Sequence, residues 1–248
     1  MAAADNTPVI IGAGQQTWRE TDATRTPVDA LEAAARAALD DCGTASMAGG
    51  IDAVCTVRFI ADTTPEIRGL FPREAGAEVA ARTGINNAAL FQGTIGGNTP
   101  QYLVNHFARA LAAGEHKAVL LAGAENLATM FAAFKNGDDL GAWPGRGTTE
   151  PATIGEEREG INDIEKAHGL YEPINTYPLF ENSLRNHMGL SRKAHHELIA
   201  GLSSDMSRVA AHNPHAWKPV LESSAEIGTV ATHNRYIGYP YTRAMNPI

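Results

Sequence analysis

The chain has 248 residues, 44% hydrophobic and 19% charged, a length that fits one large domain or a domain carrying a substantial insertion. Its formal net charge is -8 with Lys and Arg nowhere clustered, which argues against a nucleic-acid partner, because phosphate contacts need a concentrated positive surface; a small anionic ligand needs only a helix N-terminus or a few local cations. No run approaches the roughly 18–20 apolar residues that span a bilayer, so no membrane span is expected.

The opening MAAADNTPVIIG lacks the basic start and long apolar stretch of a secretory signal, and a cytoplasmic location is expected. Pro8–Ile11 reads as a strand. Gly12-Ala13-Gly14 then comes close to a dinucleotide fingerprint, but the third glycine is missing and Trp18–Asp22 opens no apolar helical face. A strand-to-loop turn is the better reading. Val28–Leu39 has helical spacing, with Pro27 suited to its start and Gly43 to its stop. Ile51–Ile60 reads as a second strand. Its Cys55 has neither a helix N-terminus nor a cationic neighbour to activate it, so core packing is expected. Cys42 lies at the negative pole of a helix and suits a nucleophile still less. Two cysteines are too few for a disulfide framework or a zinc site.

Arg73–Arg82 is a short helix closed by Gly84, and Ala88–Phe91 a third strand. Thr99–Ala113 places Leu103, Phe107, Ala110 and Leu111 on one stripe, Gly114 ends it, and Ala118–Gly123 is a strongly apolar fourth strand. Such alternation implies an α/β fold with both sheet faces covered. After Glu125 the pattern changes. About 135–160 is irregular, helical patterns follow over Pro178–His187 and Arg192–His212, Asn213–Asn234 is loop-like, and Tyr236–Tyr241 is a strand candidate. The second helix carries Leu198, Ile199, Leu202, Met206, Val209 and Ala210 on one face, so this block suggests an inserted lid or substrate-binding subdomain. Its adjacent His195 and His196 point about 100° apart on a helix and read, with His212 and His215, as solvated surface groups. No metal site is expected.

The most informative stretch runs from Phe91 to Asn126: strand, Gly-rich turn, helix, Gly turn, strand. A turn of this kind directs free N–H groups at whatever sits at the helix start, although a plain structural turn has the same spacing. The segment resembles the thiolase signature, in which C-x-S-G opens a central helix, a Gly ends it, and a strand runs into A-G-G-x-E. Counting back from Ala122-Gly123-Ala124-Glu125, with Gly114 as the helix-ending glycine, the cysteine position falls on Gly97, followed by Asn98, Thr99 and Pro100. Downstream, Pro178–Arg185, Leu190-Ser191-Arg192 and Ala211–Trp217 resemble the loop domain of sterol-carrier-type thiolase-like proteins, and Asn234-Arg235-Tyr236 with Tyr239–Asn246 their return to the core sheet.

The resemblance implies a thiolase-like layered mixed sheet with helices on both faces and an inserted, mostly helical loop domain. The core would be 1–126, the loop domain 127–234, and the return 235–248, with the C-terminal half absent. It implies acyl-CoA or coenzyme A as ligand rather than a covalently bound cofactor, and an acetyl-CoA acetyltransferase-like acyltransferase of lipid metabolism. Gly97 cannot form the acyl-enzyme of thiolysis. The residues expected against substrate are Gly97, Asn98 and Thr99 on the turn, and Asn175, Thr176 and Tyr177 beside the pantetheine tunnel. Two alternatives stand beside this reading: a retro-aldolase on a β-hydroxyacyl-CoA, working with a small OB-fold protein, and a non-catalytic binding or scaffold subunit. The later family motifs, which hold a histidine and a second cysteine, imply either a fragment or another chain supplying the C-terminal half. Thiolases commonly dimerise through the strand that here is Ala88–Gln92.

Overall fold

A computed structural model describes residues 6–44, 46–145, 147 and 151–245, grouped in two compact units, Met1–Glu157 and Arg158–Ile248. The first helix, α1 (Pro27–Asp41), begins where the sequence supplies its own cap. Thr26 accepts from the Asp29 amide, the Asp29 carboxylate accepts from the Thr26 amide, and Pro27 needs no N–H partner at a helix start. Such a cap contributes about 1 kcal/mol. There follow β1 (Ala53–Val57), the short α2 (Pro65–Arg68), α3 (Ala75–Thr83), β2 (Ala89–Gly93), α4 (Thr99–Ala112), β3 (Val119–Ala122), α5 (Leu127–Asn136) and β4 (Ala152–Ile154).

The four strands form one sheet in the order β3-β1-β2-β4, and every pairing is parallel. Side-chain alternation along β1 divides the core. Val54 enters a cluster with Val28 and Leu31 of α1 and Val79 of α3, whereas Ala53 and Cys55 enter a second with Leu103 and Phe107 of α4. Helices therefore cover both faces of the sheet, which is why β1 is buried almost end to end. This is the layered α/β arrangement the alternating pattern predicts. Trp143, fully buried, closes the first cluster: its indole N–H donates to the Ala23 carbonyl at 2.8 Å and its ring meets Phe71 edge-on at 5.6 Å.

Pro8–Ile11 differs from expectation. It takes no place in a sheet, and Val9 and Ile10 are 70% and 81% exposed. An apolar run becomes a strand only where a neighbour accepts its backbone groups, and a cavity of about 790 Å³, lined by residues 6–14 and by β3 among others, stands here instead. Gly12 and Gly14 are pressed onto α1. A Cβ on Gly12 would lie 2.2 Å from the Ala38 carbonyl oxygen, and one on Gly14 2.2 Å from that of Ala34. The near-fingerprint is thus a close helix contact. Further elements that the sequence reading does not name include α2, α5, closed by the left-handed Gly137, and β4 inside the irregular stretch.

The second unit holds α6 (Asp163–Ala167), α7 (Pro173–His187), α8 (Arg192–Ala210), α9 (Ser224–Gly228), β5 (Tyr236–Gly238) and β6 (Tyr241–Thr242). The last two pair antiparallel with each other. α7 starts before Pro178, which sits inside it. α8 forms where its periodicity places it, but its apolar stripe faces outward: Leu198, Leu202, Met206 and Val209 are 49–71% exposed. The inner side is small and polar, with His195 and Ala200 buried and Ser204 and Ser207 donating to the Glu222 carbonyl.

Candidate functional site

In the first unit, three strands deliver their C-terminal ends to one edge of the sheet, where open parallel sheets place their ligands. β2 ends in Gly93 and turns through Thr94 and Gly96-Gly97-Asn98 into α4. The turn is tight at its base. A Cβ on Gly93 would lie 2.8 Å from both the Leu103 and Thr99 side chains, whereas one on Gly97 would meet nothing within 4 Å. The predicted cysteine position therefore faces open space with room for a side chain. Thr99, buried, has its hydroxyl 3.5 Å from that of Thr94. Thr99 and Tyr102 amides bond back to Gly96 and Asn98. Pro100 has no N–H, and the Asn98 side chain makes no capping bond.

The β1 and β3 ends add charge. Arg58 holds Asp62 through Nε at 3.1 Å and Glu157 through Nη1, and the side chains of Arg58 and Asp62 are mostly buried. Glu125, just past β3, accepts from the Ile60 amide at 2.7 Å. Burial, reinforced by the nearby Asp62 carboxylate, raises its pKa against that hydrogen bond. Cys55 is fully buried in β1, and burial pushes its thiol up to about 12; it packs the core, as the sequence suggests. Among the described residues no three His, Cys, Asp or Glu side chains are gathered as metal ligands would be.

The second unit carries a pocket of about 610 Å³ lined by Ile174, Tyr177, Arg235, Ile237, Tyr241 and Arg243, among others. Of the three residues expected against substrate on this helix, Tyr177 lines this pocket. The Asn175 side-chain amide donates to the Gly169 carbonyl and the Thr176 hydroxyl to that of Glu172. His195 and His196 are not solvated surface groups. His195 is 0% exposed with Nε2 2.9 Å from Glu181 Oε1, and His196 Nε2 lies 2.7 Å from the Gly228 carbonyl oxygen. The reason is the orientation of α8, whose polar side packs inward.

No protein-family model matches the chain, and none of the curated proteins does. Among solved structures, a monomeric SCP2-thiolase-like protein type 1 from Mycobacterium smegmatis is similar to it, with a TM-score of 0.72 at 29% identity, over 98% of this chain and 43% of that one. The chain has a sterol-carrier-type thiolase-like fold. It spans less than half the length of that protein. In this thiolase-like fold Gly97, Asn98 and Thr99 lie together on the turn into α4, while Asn175, Thr176 and Tyr177 lie in the first half of α7, in the other unit. Arg235, Tyr241 and Arg243 carry no sequence signal for a role, because nothing in the spacing of a short hairpin marks which side chains face a pocket. No helix among the described residues is long and apolar enough to cross a membrane.

Proposed function

We propose that the chain is an acyl-CoA-binding, thiolase-like protein that does not follow the acyl-enzyme route of thiolysis. The observation that carries this reading is Gly97, side-chain-free at the turn into α4 and facing open space. The turn retains a helix N-terminus suited to a thioester or enolate oxygen, but a glycine offers no sulfur to acylate. The pocket beside Tyr177, with Arg235 and Arg243 in its lining, supports an anionic ligand with an apolar portion, as acyl-CoA is. Acetoacetyl-CoA with free CoA should therefore lose its β-ketoacyl absorbance no faster than the uncatalysed mixture. Acetyl-CoA should raise the melting temperature. Turnover at the rate of an ordinary thiolase would sink the first half of the reading, and no thermal shift with any acyl-CoA the second.

Glu125 favours a second reading, retro-aldol cleavage of a β-hydroxyacyl-CoA. A carboxyl group whose pKa is raised by burial is suited to take the β-hydroxyl proton as general base. The Cα–Cβ bond would then break to leave an aldehyde or ketone and the acyl-CoA enolate. Carbonyl release that disappears in Glu125→Gln, with or without a co-purifying small partner, would select this reaction.

A further inference from the structure

Tyr241 of the second unit's pocket starts a partly buried polar chain that the acyl-CoA reading does not use. Tyr241, in the pocket lining, donates its hydroxyl proton to Glu181 Oε2 at 2.8 Å. The other carboxylate oxygen, Oε1, is 2.9 Å from His195 Nε2, an ion-pair distance without hydrogen-bond alignment. His195 is fully buried, and its Nδ1 has no partner among the described residues. A polar ring in such a place incurs a desolvation cost, and the carboxylate that holds Tyr241 lies at ion-pair distance from it.

A carboxylate only accepts, and a phenol has one proton. With that proton committed to Glu181, the hydroxyl can offer a ligand only its lone pairs. We propose that Tyr241 is a specificity-determining residue of this pocket, set as a hydrogen-bond acceptor by Glu181, with buried His195 as the positioning residue behind it. The ligand it selects carries an amide N–H or hydroxyl donor toward Tyr241 and an anionic group for Arg235 and Arg243. This deepens the acyl-CoA reading and rests on it, since the pantetheine arm of CoA presents amide N–H groups. The other ionisable groups of the lining are Glu172 and Tyr177. Burial, the Glu181 hydrogen bond and the Glu181 charge, in that order, push the Tyr241 hydroxyl up to about 12.

The test has two readouts. In ligand-free protein with 13Cζ-labelled tyrosine, Tyr241 should ionise at clearly lower pH in Glu181→Gln than in the wild type, because the charge is gone. Ionisation unchanged by that substitution would overturn the setting role of Glu181. In calorimetry with acetyl-CoA, Tyr241→Phe, which keeps the ring, should bind about tenfold more weakly, the scale of one lost hydrogen bond. Glu181→Gln should also weaken binding, since its amide N–H can occupy the phenol's lone pair. Full affinity in Tyr241→Phe would overturn the acceptor role. A wild type that takes up no acetyl-CoA would instead overturn the proposed function, leaving the tyrosine resonance to decide the Glu181 link by itself.

Discussion

α4 and α8 are both amphipathic, yet they end with opposite sides covered. α4 sinks Leu103 and Phe107 to 1% and 2% exposure, while α8 leaves Leu202, Met206 and Val209 at 55–71%. The difference lies in what each helix packs on. α4 lies against a parallel sheet whose strands present Ala53, Cys55 and Phe91 to it, and burial of that stripe gives the usual hydrophobic gain. α8 packs on α9 and the segment before it, where besides Ala200 the contacts are the Ser204 and Ser207 hydroxyls on the Glu222 carbonyl and the His196 imidazole on that of Gly228. An amphipathic pattern therefore predicts a helix in both places but predicts its buried side only where an apolar surface awaits it.

If this contrast is right, truncating the core of the first unit should cost most. Trp143→Ala removes a fully buried indole and its bond to Ala23, and a loss of about 3–5 kcal/mol is expected in denaturant unfolding. The second unit should instead depend on its polar staples. The Asn234 side chain donates to the carbonyls of Glu226, Ile227 and Thr229 and accepts from the Ala244 amide. Asn234→Ala should cost about 2 kcal/mol, since buried carbonyls lose their donor; a loss below that of an ordinary surface change would remove the basis for calling it a staple.

A third effect separates by pH. Glu125 has its folded pKa raised from 4.5, so the folded state holds this proton more tightly than the unfolded chain. The resulting stabilisation is full below the unfolded value and is lost as pH rises through the folded one. Melting temperatures of wild type and Glu125→Gln, compared from acidic to neutral pH, should show the wild type losing ground as pH rises; the opposite slope would contradict the burial argument. The smallest effect belongs to the exposed stripe. Met206→Gln should change stability by no more than about 0.5 kcal/mol, and a much larger loss would mean that this face is covered in solution.

Much of the first unit was legible because its signals are local. The α1 start is encoded in Thr26-Pro27-Val28-Asp29, and the α4 end by Gly114 in a left-handed turn (φ 77°). The turn carrying Gly97 could be located by counting between glycines, since it lies between a strand and a helix that both have strong periodicity. The tight fit of Gly93 and the open space at Gly97 could not, because the first depends on where the Leu103 and Thr99 side chains of α4 pack and the second on what the fold leaves clear of the turn. Pro8–Ile11 misled for a related reason: pairing requires a neighbour, and an apolar run does not name one.

His195 shows the same limit within the second unit. Its sequence setting, beside another histidine on a helix with an apolar stripe, suggests a solvated group; the packing of α8 through its polar side buries it against Glu181. From the sequence alone came the α/β class, the order of the main elements, the thiolase resemblance and the expectation that Gly97 stands at the cysteine position, all drawn from local pattern and residue chemistry. Tertiary structure decided which side of α8 is inward, why Gly12 and Gly14 must be small, and that Tyr241, Glu181 and His195 form one chain. Those are contacts between residues up to 60 positions apart, and only the packed fold brings their atoms within hydrogen-bonding reach.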